Sequence, residues 1–422
     1  MNLMKFIKIM SIMCLFFWLY ASMAQASPVH VAKPIEKIRI SWEPIPNAVW
    51  YNLVVVQKTA KNKTKVVFTK QKITTNGYEI DGAVLPNESY QLFWQVQGVN
   101  YQEKPISEFT ISKPVSNEEV NPHSPRLTSQ AEQLTYAKVY PVYSWVPVAK
   151  ADSYEVQVFF DSSQDAAWQT ASLVKTLPVH DGNAWFLYDW EGFVAEGSYW
   201  WRVRAKDQQL APIGDWSAVK KFNVVHSGIK IASFGDSITH GGGAVNNPPS
   251  YTLYDWQTYT GLSILNLGCS GDTTKQLNKR FTKDVIPFAP KILVIMGGIN
   301  DVRLGIHATS IISELNKLKF RCLLQGIQPV FVTLTPLNPI AMRQVLQINP
   351  ADGWENEREK VNEWIRGQQY FVDVAAKLAT PNGWYLPGLS TDGLHPDANG
   401  KELIGSAIGE YLRENFSPGW LQ

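Results

Sequence analysis

The hydrophobic pattern changes character once along the chain. Before about residue 225, short runs alternate apolar with polar residues or are rich in aromatic and β-branched side chains, which is typical of half-buried strands. From Ile229 onwards the apolar runs are continuous and are separated by stretches of helical character. Such a pattern indicates a parallel sheet covered by helices on both faces. The chain therefore divides into an all-β part followed by an α/β part.

Five strands and four helices are predicted in the α/β part. The strands are Ile229–Phe234, Ile264–Leu267, Ile292–Met296, Val330–Leu334 and Tyr370–Val374. The helices are Ser250–Gly261, Ser310–Gln325, Trp354–Gly367 and Ala398–Asn415. In open parallel sheets the active site lies at the carboxyl ends of the strands, so chemistry is expected in the segments that follow these strands.

The all-β part contains an internal repeat. Trp42 precedes Tyr51 by the same number of residues that separates Trp145 from Tyr154, and the two tryptophans are about one domain length apart. Short strands with turn signals between them predict two β-sandwiches of about 90–100 residues. In the early Trp and the Tyr-containing strand after it, each sandwich resembles a fibronectin type III module.

The predicted boundaries follow from these patterns. The two modules span 33–115 and 122–225, separated by a segment rich in Ser, Asn, Glu and Pro, and the α/β domain spans 228–422. Four tryptophans at repeated strand positions are expected to fill cores: Trp42, Trp94, Trp145 and Trp201. Three others are candidates for surface rings that stack on sugars: Trp185, Trp190 and Trp216.

Residues 1–26 have the pattern of a secretory signal. Lys5 and Lys8 give a positive start, an apolar run follows from Ile9 to Tyr20, and Ala24-Gln25-Ala26 resembles a cleavage site. The apolar run is shorter than a membrane-spanning helix requires. We expect an exported protein, periplasmic or extracellular, with no membrane span in the mature chain.

Composition excludes several other classes. The formal net charge is +2, with 39 basic and 37 acidic residues, which argues against nucleic-acid binding by neutralisation of phosphates. Three Cys are too few for a disulfide scaffold or a Cys-based zinc site. After removal of the signal, Cys269 and Cys322 remain, either paired or as buried thiols. No His-based metal motif is present, and no metal or organic cofactor is expected.

Candidate catalytic residues follow the predicted strands. Ser237, in Gly235-Asp236-Ser237, comes directly after the first strand, where a turn can expose its hydroxyl at the sheet edge. Asp392 and His395 lie three residues apart before the last helix, a spacing that can set a carboxylate against an imidazole. Gly271 and Asn300 follow the second and third strands and can donate N–H groups to an oxyanion.

Four sequence blocks in this order resemble the SGNH (GDSL) hydrolase superfamily over residues 229–415. They are Gly235-Asp236-Ser237, Gly271, Gly298-Ile299-Asn300-Asp301 and Asp392-Gly393-Leu394-His395. The resemblance implies a flavodoxin-like, three-layer α/β domain with a five-stranded parallel sheet. It also implies Ser237 as nucleophile, His395 as base and Asp392 as its orienting carboxylate. The implied oxyanion hole is the backbone N–H of Ser237 and Gly271 with the side chain of Asn300.

Residues beside these blocks have assigned or open roles. We interpret Asp236 and Asp301 as carboxylates that fix turns. His240 is a candidate substrate contact or a plain loop residue, and Trp384 and Tyr385, just before the last block, are candidate sugar contacts.

The sequence thus predicts an exported serine esterase. The segments near the site are polar or rich in glycine, and the family includes exported carbohydrate esterases, so we expect removal of acetyl or short acyl groups from carbohydrate. The substrate would be an acylated carbohydrate or another ester. Alternatives are a lipase, thioesterase or arylesterase of broad specificity, an acyl transferase acting on sugars, and a non-enzymatic glycan-binding or adhesion protein.

Overall fold

The computed structural model describes residues 35–58, 63–85, 91–243, 245 and 247–421. The predicted secretory signal and Cys14 lie outside the described residues. Three structural units follow one another: two all-β modules and one α/β unit.

Module 1 contains strands β1 to β6 in two antiparallel sheets. The strands are β1 (Lys37–Ser41), β2 (Trp50–Lys58), β3 (Thr64–Ile73), β4 (Gly77–Asp81), β5 (Gln91–Val99) and β6 (Lys113–Pro114). β1 pairs with β4, and the second sheet has the order β3-β2-β5-β6. Every second residue of β2 and β5 is buried, and these side chains pack with those of β1 and β4 in one core.

Module 2 repeats this arrangement. Its strands are β7 (Val142–Ser144), β8 (Ser153–Asp161), β9 (Ser172–Val179), β10 (Phe186–Tyr188), β11 (Gly197–Lys206), β12 (Pro212–Ile213) and β13 (Lys220–Val224). β7 pairs with β10, while β11 pairs with β8, β12 and β13, and β9 extends the sheet beyond β8. This all-β region is consistent with two fibronectin type III-like modules.

The structure separates the tryptophans of the modules into two groups. The four expected in cores are all buried: Trp42, Trp94, Trp145 and Trp201. Trp185 is also buried, against Tyr251 and Tyr254 of the α/β unit. Trp216 packs against the guanidinium groups of Arg202 and Arg204, whose central carbons lie 4.2 and 4.3 Å from its ring centre. Trp190 alone of the three surface candidates is largely open, with 60% of its surface exposed.

The α/β unit has the predicted five-stranded parallel sheet. Its strands are β14 (Ile231–Gly235), β15 (Ile264–Asn266), β16 (Ile292–Met296), β17 (Gln328–Val332) and β18 (Phe371–Val372). The order is β15-β14-β16-β17-β18, which is the 2-1-3-4-5 order of flavodoxin-like folds. The predicted fold class is confirmed. The carboxyl ends of β14, β15 and β16 meet at one edge of the sheet.

Nine α-helical segments belong to the described part of the α/β unit. They are α1 (Ser237–His240), α2 (Thr274–Asp284), α3 (Ile299–Arg303), α4 (Ala308–Leu324), α5 (Pro339–Ala341), α6 (Trp354–Arg366), α7 (Ala375–Leu378), α8 (Ala398–Asn415) and α9 (Pro418–Leu421). The longer helices bury one apolar stripe, as α4 does with Ile311, Leu315 and Leu318. Within the described ranges no helix combines the length and hydrophobicity needed to cross a membrane.

Two helix expectations changed. The helix predicted at Ser250–Gly261 is instead two short 3₁₀ turns, Thr252–Tyr254 and Trp256–Tyr259, because aromatic and β-branched residues are weak helix formers. The unpredicted α2 starts with a capping box between Thr273 and Gln276. Cys269 and Cys322 are both free thiols, and burial raises the pKa of each to about 12.

Module 2 and the α/β unit share one continuous core. Lys138, from the segment of module 2 before strand β7, is buried where the two units meet. Its ammonium donates to the Asp255 carboxylate at 2.6 Å and to the carbonyl oxygens of Pro249 and His240 at 2.6 and 3.0 Å. A buried charge is stable only when its partners are in place, so this contact holds module 2 in a defined position beside the carboxyl ends of β14 and β15.

Candidate active site

Ser237 lies at the turn between β14 and α1. Asp236 caps this short helix, since its carboxylate accepts the N–H of Ile238 at 3.0 Å. Asp236 is buried, and burial raises its pKa to about 7. Ser237 is the first residue of α1, where the backbone N–H has no acceptor within the helix. Asp236 thus fixes the turn, and the Ser237 N–H remains available.

Ser237, His395 and Asp392 form one chain of hydrogen bonds. The distance from Ser237 Oγ to His395 Nε2 is 3.1 Å, and the distance from His395 Nδ1 to Asp392 Oδ2 is 3.0 Å. Asp392 Oδ1 accepts the backbone N–H groups of Leu394 and His395 at 2.9 and 2.8 Å. With Nδ1–H donating to the carboxylate, Nε2 is free to accept the serine proton.

The surroundings of Asp392 keep it ionised. Its burial opposes ionisation, but the neighbouring His395 and the two N–H donors outweigh burial, so the pKa of Asp392 falls below its ordinary value. Gly393, between the carboxylate and the imidazole, has φ +78°, and a Cβ there would lie 2.3 Å from the carbonyl oxygen of Asn338. Only glycine fits this tight turn.

N–H donors from three strand ends lie around the Ser237 hydroxyl. Gly271, in the loop after β15, has φ +89° and donates its N–H to no described residue; nor does Ser237. Asn300, in α3 after β16, donates one amide hydrogen to the carbonyl of Asp272 at 3.0 Å, which orients the group and leaves its second hydrogen free. Asp301 accepts the N–H and hydroxyl of Thr274 at 2.9 and 2.7 Å, which ties α3 to the start of α2.

These groups open onto one cleft of about 460 Å³. Its wall is built from module 2, the glycine-rich loop after α1, the loop after β15, helix α3 and the segment after α5. The lining residues are Phe186, Tyr188, Ser237, Gly241, Gly242, Gly243, Val245, Asn247, Pro248, Ser270, Gly271, Asn300, Arg303, Leu346, Ile348, Asp392, Leu394 and His395. Across the described residues, no cluster of His, Cys, Asp or Glu has the arrangement to hold a metal ion.

The family model of the GDSL-like lipases/acylhydrolases matches residues 233–403. This part of the chain is a GDSL-like lipase/acylhydrolase domain. The match covers the nucleophile turn, the loop after β15, helix α3 and the Asp392–His395 segment. It leaves both β modules outside, so the family assignment belongs to the acylhydrolase domain.

Solved structures resemble a little less than half of this chain. The lipase/acylhydrolase of Enterococcus faecalis is 24% identical, with 45% of this chain and 98% of that chain covered and a TM-score of 0.37. A GDSL-like lipase of Bacteroides thetaiotaomicron is 21% identical, with 44% of this chain and 89% of that chain covered and a TM-score of 0.37. An acetylxylan esterase of Geobacillus stearothermophilus is 22% identical, with 47% of this chain and 98% of that chain covered and a TM-score of 0.33. Among curated proteins no significant match was found. Likenesses this distant say nothing about what the chain acts on.

His240 is not a substrate contact in this structure. Only 1% of it is exposed, its Nε2 lies 2.6 Å from the carbonyl oxygen of Tyr140, and its Nδ1 accepts the N–H of Ser270 at 3.2 Å. The ring is therefore the Nε2–H tautomer. Burial, reinforced by the nearby Lys138, lowers the pKa of His240 to about 3, so it stays neutral. It connects the start of module 2 to the loop that carries Gly271.

Trp384 and Tyr385 also lie away from the cleft of the acylhydrolase domain. Tyr385 is buried, and its hydroxyl donates to the carbonyl of Leu394 at 3.3 Å, behind the Asp392–His395 turn. Trp384 packs against the same core, and its carbonyl accepts the N–H of Thr380 at 2.7 Å. Tyr385 therefore supports the turn from its buried side, and neither residue lines the cleft.

Module 2 contributes a wall of the cleft that sequence patterns did not reveal. Phe186 and Tyr188, from strand β10, line it. The ring of Tyr188 stacks on that of Trp190, with centres 4.8 Å apart and planes at 6°, and its edge meets His240 at 5.8 Å. The one available signal in the sequence was Trp190, which stands outside the repeated core positions and was therefore a candidate surface ring.

A second unforeseen network supports the loop after β15. The guanidinium of Arg280 pairs with Asp272 in that loop and donates to the carbonyl oxygens of Leu267 and Gly235 at 2.6 and 2.9 Å. Asp284 bonds Arg280 at 3.0 Å and accepts the Tyr140 hydroxyl at 2.7 Å. The loop that carries Gly271 is thus supported from the acylhydrolase domain and from module 2 together.

Proposed function

We propose that the protein is an exported serine esterase that removes acetyl or other short acyl groups from carbohydrate. The observation that carries this proposal is the hydrogen-bond chain from Ser237 through His395 to Asp392, which opens onto a cleft beside unused N–H donors. A serine hydroxyl becomes a nucleophile when a neighbouring base accepts its proton, and this arrangement supplies that base.

The proposed reaction has two stages. Ser237 Oγ attacks the ester carbonyl while His395 Nε2 takes the serine proton, and Asp392 stabilises the resulting imidazolium. The oxyanion accepts hydrogen bonds from the N–H groups of Ser237 and Gly271 and from the amide of Asn300. His395 then protonates the leaving alkoxide and leaves an acyl-serine. A water molecule, deprotonated by His395, attacks that ester, and the serine recovers its proton as the acid departs.

The carbohydrate part of the proposal rests on the aromatic pair of module 2. Tyr188 lines the cleft, and Trp190, stacked on it, presents an open ring face to solvent. Aromatic faces are apolar platforms with a low entropic cost of ordering, which suits stacking on a sugar ring. The short-acyl part rests on the glycine-rich wall formed by residues 241–243, which offers little apolar side-chain surface to a long acyl chain.

The domain limits remain those of the sequence prediction. We propose a signal at 1–26, modules at 33–115 and 122–225, and the acylhydrolase domain at 228–422. The strands of module 1 fall between Lys37 and Pro114 and those of module 2 between Val142 and Val224, which is compatible with these limits.

Hydrolysis of p-nitrophenyl acetate, butyrate and octanoate tests the chemistry. We expect fast acetyl turnover that Ser237→Ala abolishes, while Ser162→Ala, which removes an exposed serine of module 2, serves as the control. Turnover that survives Ser237→Ala would refute the assignment of the nucleophile. A preference for octanoate would favour a lipase or thioesterase, for which the apolar side chains of Leu346 and Ile348 in the cleft would form the acyl site.

Replacement of Trp190 tests the carbohydrate platform. Trp190→Ala should raise KM for an acetylated oligosaccharide about 5-fold more than KM for p-nitrophenyl acetate, since stacking contributes on the order of 1 kcal/mol. Trp216→Ala removes another tryptophan of the same module, away from the cleft, and should leave KM for both substrates unchanged. Equal effects of Trp190→Ala on both substrates would refute the platform.

A further inference from the structure

Arg303 lies in the wall of the cleft, and its guanidinium has no partner among the residues that the structure describes. It ends helix α3, one turn after Asn300, and both residues line the cleft. Its Nε is fully buried and bonds nothing, and the side chain donates no hydrogen bond to any described residue. No carboxylate of the described residues lies within ion-pair distance of it.

The other buried or half-buried arginines of the acylhydrolase domain are all engaged. Arg280 pairs with Asp272 and Asp284, and Arg366 pairs with Glu359 and Asp373. Arg358 donates to the carbonyl oxygens of Thr335 and Gly383 at 3.3 and 3.1 Å. Arg303 therefore departs from the pattern of its own domain, and it does so at the cleft.

An unpaired, half-buried cation is unfavourable for folding. Burial lowers the pKa of Arg303, and no neighbouring carboxylate compensates. No group of the described residues uses this charge, so its position calls for a partner from outside the fold. Among the described residues that line the cleft, Asp392 is the single acidic one, and it is buried and bonded to His395. The open charge of the cleft is therefore positive.

From this geometry we infer that Arg303 binds an anionic group of the substrate. The planar guanidinium presents paired donors that match a carboxylate or a sulfate. Arg303 stands one helical turn from the oxyanion donor Asn300, so the anion lies on a sugar unit that also carries or adjoins the ester. The substrate class is then an acylated acidic glycan, such as a polymer of uronic acids. This inference rests on the proposed esterase function and narrows its substrate.

Kinetics on matched substrates test this inference. We compare acetylated oligogalacturonate, which is acidic, with acetylated xylo-oligosaccharide, which is neutral, and with a sulfated acetylated oligosaccharide. Arg303→Gln should lower kcat/KM on the acidic substrate about 10- to 100-fold more than on the neutral one, the range expected for loss of a charged hydrogen bond. Arg303→Lys should recover part of the loss, because it restores the charge without the planar fork.

The control is Arg343→Gln. Arg343 is exposed, donates to Asn349 at 2.9 Å and lies outside the cleft, so this variant makes the same change in net charge nearby. The acidic substrate whose kcat/KM falls more in Arg303→Gln shows whether the site prefers a carboxylate or a sulfate. Equal losses on the acidic and neutral substrates would overturn the inference.

Binding without turnover separates this inference from the esterase proposal. Calorimetry of galacturonate and of inorganic sulfate with Ser237→Ala should show binding that the double variant with Arg303→Gln loses. Loss of binding on Arg303→Gln in a protein that hydrolyses no ester would support the anion site and defeat the proposed function. If the parent hydrolyses esters but Ser237→Ala binds neither galacturonate nor sulfate, the anion site is refuted and the proposed esterase function stands. The melting temperature of Arg303→Gln should be equal to or above that of the parent, and a large decrease would indicate a structural role for Arg303.

Discussion

Replacement of His240 offers a direct test of the buried link between module 2 and the active-site loop. The imidazole connects the Tyr140 carbonyl to the Ser270 N–H and is 1% exposed. His240→Gln places an amide nitrogen near the Nε2 position, and His240→Asn places a carbonyl oxygen near Nδ1. Each variant keeps a hydrogen-bonding group on one side of the ring position, toward Tyr140 or toward Ser270, and removes the titrating group.

The expected magnitude follows from the pKa. Burial lowers the pKa of His240 from 6.5 to about 3. Between these values the unfolded state binds a proton that the folded state does not, so stability falls as the pH falls. At about 1.4 kcal/mol per pH unit, acidification from pH 6.5 to pH 5 removes about 2 kcal/mol, and the full loss near pH 3 is about 5 kcal/mol.

Other buried groups titrate in the opposite sense. Burial raises the pKa of Asp236 and Asp397 to about 7, so the folded state binds their protons more tightly than the unfolded state does. These two groups therefore make the folded protein less stable as the pH rises from 3.8 to about 7. The cations Lys138, Arg280 and Lys401 face His240 and reinforce its neutral form. Because all of these groups remain in the variants, the difference between parent and variant isolates His240.

The assay is urea unfolding at pH 7.5 and pH 5.0, followed by tryptophan fluorescence. On acidification, the free energy of unfolding of the parent should fall by about 2 kcal/mol more than that of His240→Gln or His240→Asn. His307→Gln removes an exposed histidine and controls for the loss of an imidazole. If parent and His240 variants lose the same stability between the two pH values, the reasoning from burial is wrong.

The remaining predictions concern the proposed triad and the domain interface. Asp392→Asn should reduce kcat on acetyl esters by about 10²- to 10⁴-fold with a small change in KM, because the His395 ring loses the partner that fixes its tautomer. Steady-state kinetics measure the change in kcat, and a decrease of less than about tenfold would contradict the prediction. Lys138→Met should lower the free energy of unfolding by about 3–5 kcal/mol, because it leaves the carboxylate of Asp255 buried without its cation. The double variant with Asp255→Leu should regain most of that loss, and a double variant no more stable than Lys138→Met would argue against the buried pair.

The sequence by itself determined the local parts of this protein. The strand Ile292–Met296 and the helix Ala398–Asn415 have the predicted bounds, because their apolar periodicity is a property of neighbouring residues. The three-residue spacing of Asp392 and His395 is likewise local. Parallel strands end at one edge of a sheet, which is why Ser237, Gly271 and Asn300 were predictable as neighbours although they are distant in the chain.

Tertiary structure alone decided the rest. Sequence pattern does not record how module 2 packs on the acylhydrolase domain, because that packing depends on the shape of two finished surfaces and has no period. This packing buries His240, brings Tyr188 into the cleft and places Trp190 at its side. The open charge of Arg303 is equally a tertiary fact, since only the finished fold leaves no acidic side chain of the described residues within ion-pair distance of this guanidinium.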